Sequence, residues 1–287
     1  MKAAPATTLS DALRNAQTQG VARLDAQMLL LKALSYDPHD RAWLLAHDGD
    51  LLPPEVASRF STAVQERLSG MPMAYLTGEQ AFFGLTLRVD RRVLVPRPDT
   101  ETLVEWALTL LADWPAPVPA PAQVLDLGTG SGAVALALKS QQPTLHVCAT
   151  DVSENALAVA RANAQRLRLT IDFATGSWLD AVPGQHFHLI VSNPPYIAEG
   201  DAHLAALTHE PLGALTAGAD GLDDIRSLII GAPAALHPGG WLLLEHGYDQ
   251  ANRVNALLIE RGFEAVTSRT DLAGIARCTG GRWPGQR

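Results

Sequence analysis

The residues with the most informative chemistry are Asn193, Pro194, Pro195 and Tyr196, which directly follow an apolar run at residues 187–191. An apolar run that ends in prolines predicts a buried strand giving way to a loop. The prolines have no N–H group, and Pro194 keeps Asn193 out of the helical region, so few backbone donors compete for the loop's carbonyl oxygens. Such a loop suits a planar –NH2 group: the Asn193 side-chain oxygen and the Pro194 carbonyl accept its hydrogens, and the Tyr196 ring covers its flat face. Paired prolines also simply terminate strands, so this stretch alone leaves both interpretations open.

A glycine-rich loop upstream, residues 126–132 with the sequence Asp-Leu-Gly-Thr-Gly-Ser-Gly, lies between a predicted strand and a predicted helix. Closely spaced glycines at such a junction bind a ligand at the carboxyl edge of the sheet. Gly128, Gly130 and Ala133, followed by Asp151, would satisfy a nicotinamide dinucleotide fingerprint. Asp126, placed before the first glycine, instead gives the Asp-x-Gly-x-Gly arrangement of S-adenosylmethionine enzymes, where an acid engages the amino-acid end of the cofactor. The loop alone fits either cofactor.

Two further side chains extend the candidate cofactor site. Asp151 ends the second predicted strand, where a carboxylate would hold both ribose hydroxyls, although an acid there also caps a helix that begins near residues 153–155. Trp178 follows the third strand and is placed to lie against an adenine ring, although a lone tryptophan packs into a core just as well. The candidate cofactor-binding residues are Asp126, Leu127, Gly128, Thr129, Gly130, Asp151, Trp178 and Asn193.

The elements that position these residues alternate along the second half of the chain. From residue 123 onward, strand-like and helix-like runs follow one another, which predicts a largely parallel sheet covered on both faces. The predicted strands are 123–127, 145–150, 170–174, 187–192, 240–245, 263–267 and 275–279. The predicted helices are 133–140, 155–167, 223–236 and 250–261.

The first part of the chain has a different pattern. Apolar residues recur at helical spacing from residue 9 to about 69, which predicts a small helical bundle, and strand formers at residues 79–95 predict a hairpin. Pro98, Asp99 and Glu101 form a good helix start, and capping alone would explain the two acids. The proline-rich stretch 114–122 is predicted to be a stiff connector. The predicted domains are therefore a helical substrate-recognition domain at 1–75, a hairpin linker at 76–96 and a catalytic domain at 97–287.

Composition narrows the class of protein. The chain has 287 residues, 47% of them hydrophobic, which is ample for a buried core. No signal-like apolar core opens it and no run approaches the roughly 18 apolar residues of a membrane span, so we expect a cytosolic protein. The formal charge of −8 argues against a broad nucleic-acid surface, and the histidines form no metal-ligand cluster. Cys148 and Cys278 lack C-x-x-C spacing and are predicted to be buried thiols.

Taken together, the motifs resemble a known family. The glycine loop, the acid after the second strand and the Asn-Pro-Pro-Tyr loop look like a class I methyltransferase acting on a planar nitrogen. The whole chain from about residue 9 to 279 resembles the release-factor glutamine methyltransferase family. The motifs that carry this resemblance are Arg97-Pro-Asp-Thr-Glu101, residues 190–197, His209-Glu210-Pro211, Ala219-Asp-Gly-Leu222 and Leu244-Glu-His-Gly247.

The resemblance implies both a fold and an activity. The fold is an α/β class I methyltransferase with a mostly parallel seven-stranded sheet and an antiparallel last strand, preceded by a helical domain and a hairpin. The reaction is methyl transfer from S-adenosyl-L-methionine to the glutamine side-chain nitrogen in the Gly-Gly-Gln motif of peptide-chain release factors, leaving S-adenosyl-L-homocysteine. Asn193, Pro194 and Tyr196 are expected to be catalytic, and Pro195 joins them in substrate binding. We expect a cytoplasmic monomer without metal, membrane or direct nucleic-acid binding.

Rival functions share parts of this pattern. Adenine amino methyltransferases use the same loop because adenine also presents a planar –NH2 group beside a stackable face, but they generally need a cationic surface. A glutamine methyltransferase acting on a ribosomal protein is closer still, and the helical leader does not decide between the two substrates. A non-catalytic class I module need not keep Asn193 through Tyr196, and a dehydrogenase would leave that loop unexplained.

Overall fold

The structure, a computed structural model, describes residues 7–112 and 121–285. The chain divides into two compact units, Met1–Glu79 and Gln80–Arg287. The predicted hairpin is present as β1 (Glu79–Phe82) and β2 (Leu85–Arg88), and all but its first residue belongs to the second unit. The predicted connector at 114–122 falls mostly outside the described residues. The division of function between domains stays a prediction.

The first unit is the predicted helical bundle. Its helices are α1 (Leu9–Thr18), α2 (Arg23–Ala33), α3 (Arg41–Ala46), α4 (Pro54–Leu68) and α5 (Met73–Thr77). The Thr8 side chain and Asp11 form a capping box that starts α1, and Pro54 occupies the first turn of α4, where its missing N–H costs nothing. Leu29, Leu30 and Phe60 lie in the bundle's core, where α2 packs against α4.

The second unit contains a seven-stranded sheet. Its strands are β3 (Gln123–Leu127), β4 (His146–Asp151), β5 (Asp172–Thr175), β6 (Phe187–Ser192), β7 (Leu236–Glu245), β8 (Glu264–Thr270) and β9 (Ala276–Arg282). They lie in the order β5-β4-β3-β6-β7-β9-β8. Neighbouring strands from β5 to β7 pair parallel, whereas β9 is antiparallel to both β7 and β8. The predicted class I fold with an antiparallel last strand is confirmed.

Helices cover both faces of this sheet. They are α6 (Glu101–Ala112), α7 (Ala133–Gln141), α8 (Glu154–Leu167), α9 (Asp223–Gly231) and α10 (Ala251–Arg261). Successive residues of a strand point to opposite faces, so Val124 packs into the core cluster of α6 and α7, and Leu125 into that of α9 and α10. This two-sided burial explains why the central strands read as nearly continuous apolar runs.

Several predicted bounds were wrong. The predicted helix 223–236 ends at Gly231 and continues only as a short 3-10 turn, Ala232–Ala234, because Pro233 has no N–H to donate and its ring clashes with the preceding turn. Strand β7 consequently begins at Leu236 rather than at residue 240, and β8 and β9 each extend three residues beyond their predicted ends. The thiols of Cys148 and Cys278 are free and buried, as predicted. Among the helices in the described ranges, none is long and apolar enough to cross a membrane.

Candidate active site

A cavity of about 410 Å³ lies at the carboxyl ends of β3, β4 and β6. Strand β3 has β4 on one side and β6 on the other, and such a change of direction in strand order leaves a crevice at the sheet edge. The predicted site residues that line the cavity are Gly128, Gly130, Asp151, Trp178, Asn193 and Pro195. Further walls come from two segments that were not predicted to belong to the site, Arg92-Val93-Leu94 and Pro211 with Gly213-Ala214.

The glycine loop is fastened to the end of β4. The backbone N–H of Gly130 donates to Asp151 Oδ2 at 2.9 Å, and the N–H of Thr129 donates to the Thr150 carbonyl at 2.8 Å. Gly128 and Gly130 both have positive φ angles, 70° and 55°, which side-chain-bearing residues rarely adopt. A Cβ at Gly128 would lie 3.3 Å from the Trp178 ring, so the loop leaves a gap there that a side chain would fill.

Asp126 stabilises this loop from a buried position. Its carboxyl oxygen Oδ2 accepts from the Thr129 hydroxyl at 2.6 Å and from the Ala135 N–H at 3.1 Å, and the side chain is buried. Burial raises the pKa of Asp126 to about 6, against the effect of these hydrogen bonds. Asp126, Leu127 and Thr129 do not line the cavity, and Leu127 lies in the core. A direct contact of these three residues with a cofactor stays a prediction.

Asp151 faces the cavity and does not cap the following helix. Ser153 is the N-cap of α8, because its hydroxyl accepts from the Ala156 N–H at 3.2 Å. The Asp151 oxygens accept instead from the N–H groups of Gly130 and Ser153, each at 2.9 Å. A carboxylate oxygen can accept more than one hydrogen bond, so Asp151 retains capacity for a ligand's hydroxyl groups.

Trp178 both faces the cavity and packs into the core, the two positions that its place in the sequence allowed. It lines the cavity, and part of the ring packs against the core cluster beneath α9 and α10. Asp224 also lines the cavity, and burial raises the pKa of its carboxyl above the ordinary value. The backbone of Trp178 is strained at φ 48°, and strain of this kind persists where the surroundings fix the side chain.

The Asn-Pro-Pro-Tyr loop follows β6, as predicted, but its members face different ways. Asn193 and Pro195 line the cavity, whereas Pro194 and Tyr196 do not. The Asn193 Nδ2 group donates to Thr100 Oγ1 at 3.2 Å. The Tyr196 hydroxyl donates to Glu245 Oε1 at 3.4 Å, and the Tyr196 carbonyl accepts from Gln250 Nε2 at 2.9 Å. The catalytic roles of Pro194 and Tyr196 stay predictions.

The stretch from Arg97 to Glu101 supports this loop, and the sequence interpretation of its acids as helix caps was incomplete. Asp99 forms an ion pair with Arg277 at 3.0 Å, and Glu101 Oε1 accepts from the Phe83 N–H at 2.8 Å. Thr100 is buried and contacts Asn193. The motif therefore connects the start of α6 with the hairpin, with β9 and with the residue after β6.

Glu210 was another residue that sequence reasoning missed. Its buried carboxylate accepts from the Val95 N–H at 3.1 Å and forms an ion pair with Arg97. It thereby joins the two unpredicted cavity walls, since Val95 follows Leu94 and Glu210 precedes Pro211. The signal was present in the His-Glu-Pro and Arg-Pro-Asp-Thr-Glu motifs, but their pairing joins residues more than a hundred positions apart.

Comparison with known proteins identifies the family. Residues 7–78 match the PrmC N-terminal domain, and residues 108–266 match the family described as methyltransferase small domain. The release factor glutamine methyltransferase of Bordetella pertussis is 48% identical over 278 residues, covering 96% of this chain and 99% of the relative. That of Pseudomonas aeruginosa is 45% identical over 282 residues, with coverage of 96% and 99%.

This chain belongs to the release factor glutamine methyltransferase family. A solved methyltransferase from Pyrococcus furiosus, 20% identical, covers 80% of this chain and all of its own chain with a TM-score of 0.51, which supports the fold. Membership in this family of methyltransferases sets aside the dehydrogenase and the non-catalytic module as interpretations of the glycine loop.

Proposed function

We propose that this protein transfers a methyl group from S-adenosyl-L-methionine to the side-chain amide nitrogen of the glutamine in the Gly-Gly-Gln motif of peptide-chain release factors, and so supports translation termination. The observation that carries the proposal is one cavity lined by the glycine loop, by Asp151 and by Asn193. The cavity places residues suited to binding a nucleoside cofactor next to a side-chain hydrogen-bond acceptor suited to a planar –NH2 group. The full-length similarity to release factor glutamine methyltransferases supports the choice of substrate.

The residues present fit S-adenosyl-L-methionine. The cavity volume lies within the range of roughly 300–1,000 Å³ that is usual for cofactor pockets. Apart from Gly130 itself and its two chain neighbours, no residue has a heavy atom within 4 Å of the position that a Cβ would take there, so the loop is open toward a ligand. Asp151 would hold the ribose hydroxyls, and Trp178 would cover a face of the adenine. When bound, the cofactor supplies an electrophilic methyl group on a positively charged sulfur.

The chain's own residues must make a poor nucleophile react. An amide nitrogen has a delocalised lone pair, so the protein contributes orientation and stabilisation of developing positive charge. The Asn193 side-chain oxygen and the Pro194 carbonyl would accept the two amide hydrogens and hold the nitrogen toward the cavity. Tyr196 would fix the amide plane. No strong base is needed, because the nitrogen becomes acidic as its new bond forms and its proton can pass to solvent.

The setting of the reaction follows from this substrate. Release factors act in translation, so we place the enzyme in the cytoplasm, acting as a monomer on a protein and not on nucleic acid. Incubation of purified release factors and ribosomal proteins with labelled S-adenosyl-L-methionine, followed by mass spectrometry, tests the proposal. We expect a single methyl group on the Gly-Gly-Gln glutamine of a release factor. Label on a ribosomal protein alone would identify the rival glutamine methyltransferase.

A further inference from the structure

Two of the sequence motifs meet behind the Asn-Pro-Pro-Tyr loop, at the side chain of Gln250. Gln250 is the N-cap residue of α10 and is buried, with 6% of its surface exposed. Its Oε1 atom accepts from the N–H of Gly247, the last residue of the Leu-Glu-His-Gly motif, at 2.8 Å. Its Nε2 atom donates to the Tyr196 carbonyl at 2.9 Å. Gly221 of the Ala-Asp-Gly-Leu motif adjoins this bond, since a Cβ there would lie 2.9 Å from Nε2 and overlap the Tyr196 carbonyl oxygen.

Backbone partners fix the direction in which the Gln250 amide points. The Gly247 N–H group can only donate and the Tyr196 carbonyl can only accept, so the amide oxygen must face Gly247 and the –NH2 group must face Tyr196. The same –NH2 group also lies near the Asp220 and Gly221 carbonyls, at 3.5 and 3.4 Å. Three acceptors therefore surround it, and a side chain without a donor at this place would leave the Tyr196 carbonyl unpaired.

The Tyr196 carbonyl is the point at which the backbone of the loop is held. In the part of the chain that the structure describes, no other hydrogen bond reaches the backbone of Pro194, Pro195 or Tyr196. The N–H of the same peptide group, that of Ile197, donates to the Leu215 carbonyl at 2.9 Å, so two hydrogen bonds together set the plane of this peptide. The proline rings fix their own φ angles, so the stretch from the Pro194 carbonyl to the Tyr196 carbonyl is short and stiff.

This stretch carries two groups that the proposed reaction needs, the Pro194 carbonyl as an acceptor and the Tyr196 ring as a cover for the amide plane. We propose that Gln250 is a positioning residue for methyl transfer: it holds the Tyr196 carbonyl and thereby fixes the Pro194 carbonyl and the Tyr196 ring against the substrate amide. Gln250 does not line the cavity, so it acts through the loop. A displacement of about 1 Å at the reacting groups can cost about 100-fold in rate. This inference rests on the proposed function.

The test uses the full-length enzyme with Gln250→Glu and Gln250→Met, assayed on an intact release factor with labelled S-adenosyl-L-methionine. Glutamate keeps the shape and the acceptor for Gly247, but its ionised form sets an oxygen against the Tyr196 carbonyl. Methionine keeps much of the volume and removes the donor without adding a charge. Each variant should lower kcat by about 10- to 100-fold, because the loop no longer holds the reacting amide in place. Binding of S-adenosyl-L-homocysteine, measured by calorimetry, should change by less than about 3-fold.

Two control variants on α10 separate positioning from a merely structural role. Asn252→Asp adds a negative charge at an exposed position in the first turn of the helix. Leu258→Val trims a buried side chain two turns beyond Gln250 and so lowers stability without removing the bond to Tyr196. Both controls should keep kcat within about 2-fold of the wild-type value, and urea unfolding of every variant gives the loss of stability for comparison. With a short Gly-Gly-Gln peptide, the Gln250 variants should lose kcat by the same factor as with the intact factor.

Wild-type kcat in Gln250→Glu and Gln250→Met would overturn the inference. Losses of kcat that follow the urea midpoint across all four variants would overturn it as well, as would a loss of cofactor affinity as large as the loss of kcat. Gln250→Met decides the matter if the buried charge of Gln250→Glu prevents folding. A wild-type enzyme that methylates no release factor would instead refute the proposed function, so the two failures are distinguishable.

Discussion

The backbone N–H of Gly130 donates to the Asp151 carboxylate at 2.9 Å, so one acid both closes the glycine loop and faces the candidate cofactor cavity. Asp151 is therefore responsible for the shape of the loop as well as for any bond to a ribose. Its second oxygen accepts from the Ser153 N–H, which holds the carboxylate in one orientation. The first prediction concerns this double role.

Asp151→Ala should weaken binding of S-adenosyl-L-methionine about 10-fold or more, because charge-assisted hydrogen bonds to the ribose are each worth roughly 1.5–3 kcal/mol. Calorimetry on the folded variant measures this. Asp172→Ala is the matched control, since Asp172 is an exposed acid at the amino end of β5, paired with His146. An Asp151→Ala enzyme with wild-type affinity would remove Asp151 from the site.

Asn193→Ala should lower turnover by about 100-fold or more, by analogy with the loss of one preorganised transition-state hydrogen bond. Cofactor affinity should change far less, because Asn193 serves the substrate amide. Steady-state kinetics at saturating release factor separate the two effects. Near-normal kcat under these conditions would contradict the assignment of Asn193.

Part of this architecture could be predicted because it is local. Strands β3 and β6 have the predicted bounds, since each is a buried apolar run that ends where a glycine loop or a proline pair begins. Asp151 and Asn193 could be selected for the same reason: each follows a recognisable strand, and parallel strands bring their carboxyl ends to one edge. The end of α9 was missed because helical periodicity was followed through Pro233.

The supporting contacts could not be predicted, because they join distant positions. Thr100 meets Asn193 across 93 positions, and Glu245 meets Tyr196 across 49. These pairs exist because α6 packs on the sheet and β7 lies beside β6. A single sequence contains no local signal for either arrangement.

Gly221→Ala should destabilise the protein by roughly 2 kcal/mol or more, from positive-φ strain and overpacking together. Gly221 has φ 71°, and a Cβ there would overlap the Tyr196 carbonyl oxygen and come within 2.9 Å of Gln250 Nε2. Activity should fall as well, because the same overlap displaces the Asn-Pro-Pro-Tyr loop. Chemical denaturation with the control Gly49→Ala, where a Cβ meets nothing within 4 Å, checks the size of the effect. Equal stability of the two variants would refute this account.

Acid should weaken the fold through His188 and His237, whose rings lie 4.6 Å apart. Burial lowers the pKa of both rings below the ordinary 6.5, and a neighbouring histidine lowers each of them further. The unfolded chain therefore binds protons more readily, and the stability that depends on the neutral rings is lost as the pH falls through about 6.5 toward the lowered folded-state pKa values. His188 Nδ1 also accepts from the Gln123 N–H at 3.1 Å, a bond that protonation of this nitrogen removes.

Asp126 and Glu245 have raised pKa values, so their protonation stabilises the fold as the pH falls and opposes the effect of the histidines. The histidine contribution is therefore measured by comparing variants. His237→Gln should reduce the loss of unfolding free energy between pH 8 and pH 5, measured by urea titration at each pH. His39→Gln, at an exposed position, is the control. An unchanged pH dependence in His237→Gln would show that this pair does not govern acid stability.

The last prediction assigns substrate recognition to the helical unit. One glutamine side chain offers little surface, yet the enzyme must select it among very many, so discrimination should use contacts remote from the chemistry. The unit has a cavity of about 690 Å³, the α1–α4 groove, lined by Ala12, Asn15, Ala57, Phe60 and Ser61 among others. Ser61→Arg, at an exposed position, would fill this groove without disturbing the bundle's core.

Ser61→Arg should lower kcat/KM for an intact release factor about 10-fold, the loss expected from roughly 1.4 kcal/mol of binding, while methylation of a short Gly-Gly-Gln peptide stays unchanged. Thr62→Arg is the matched control, because it adds the same charge one position along α4 at an exposed residue that does not line the groove. If both arginine variants keep the full preference for the intact factor over the peptide, recognition does not use this groove. The bundle would then serve only to support and solubilise the methyltransferase unit.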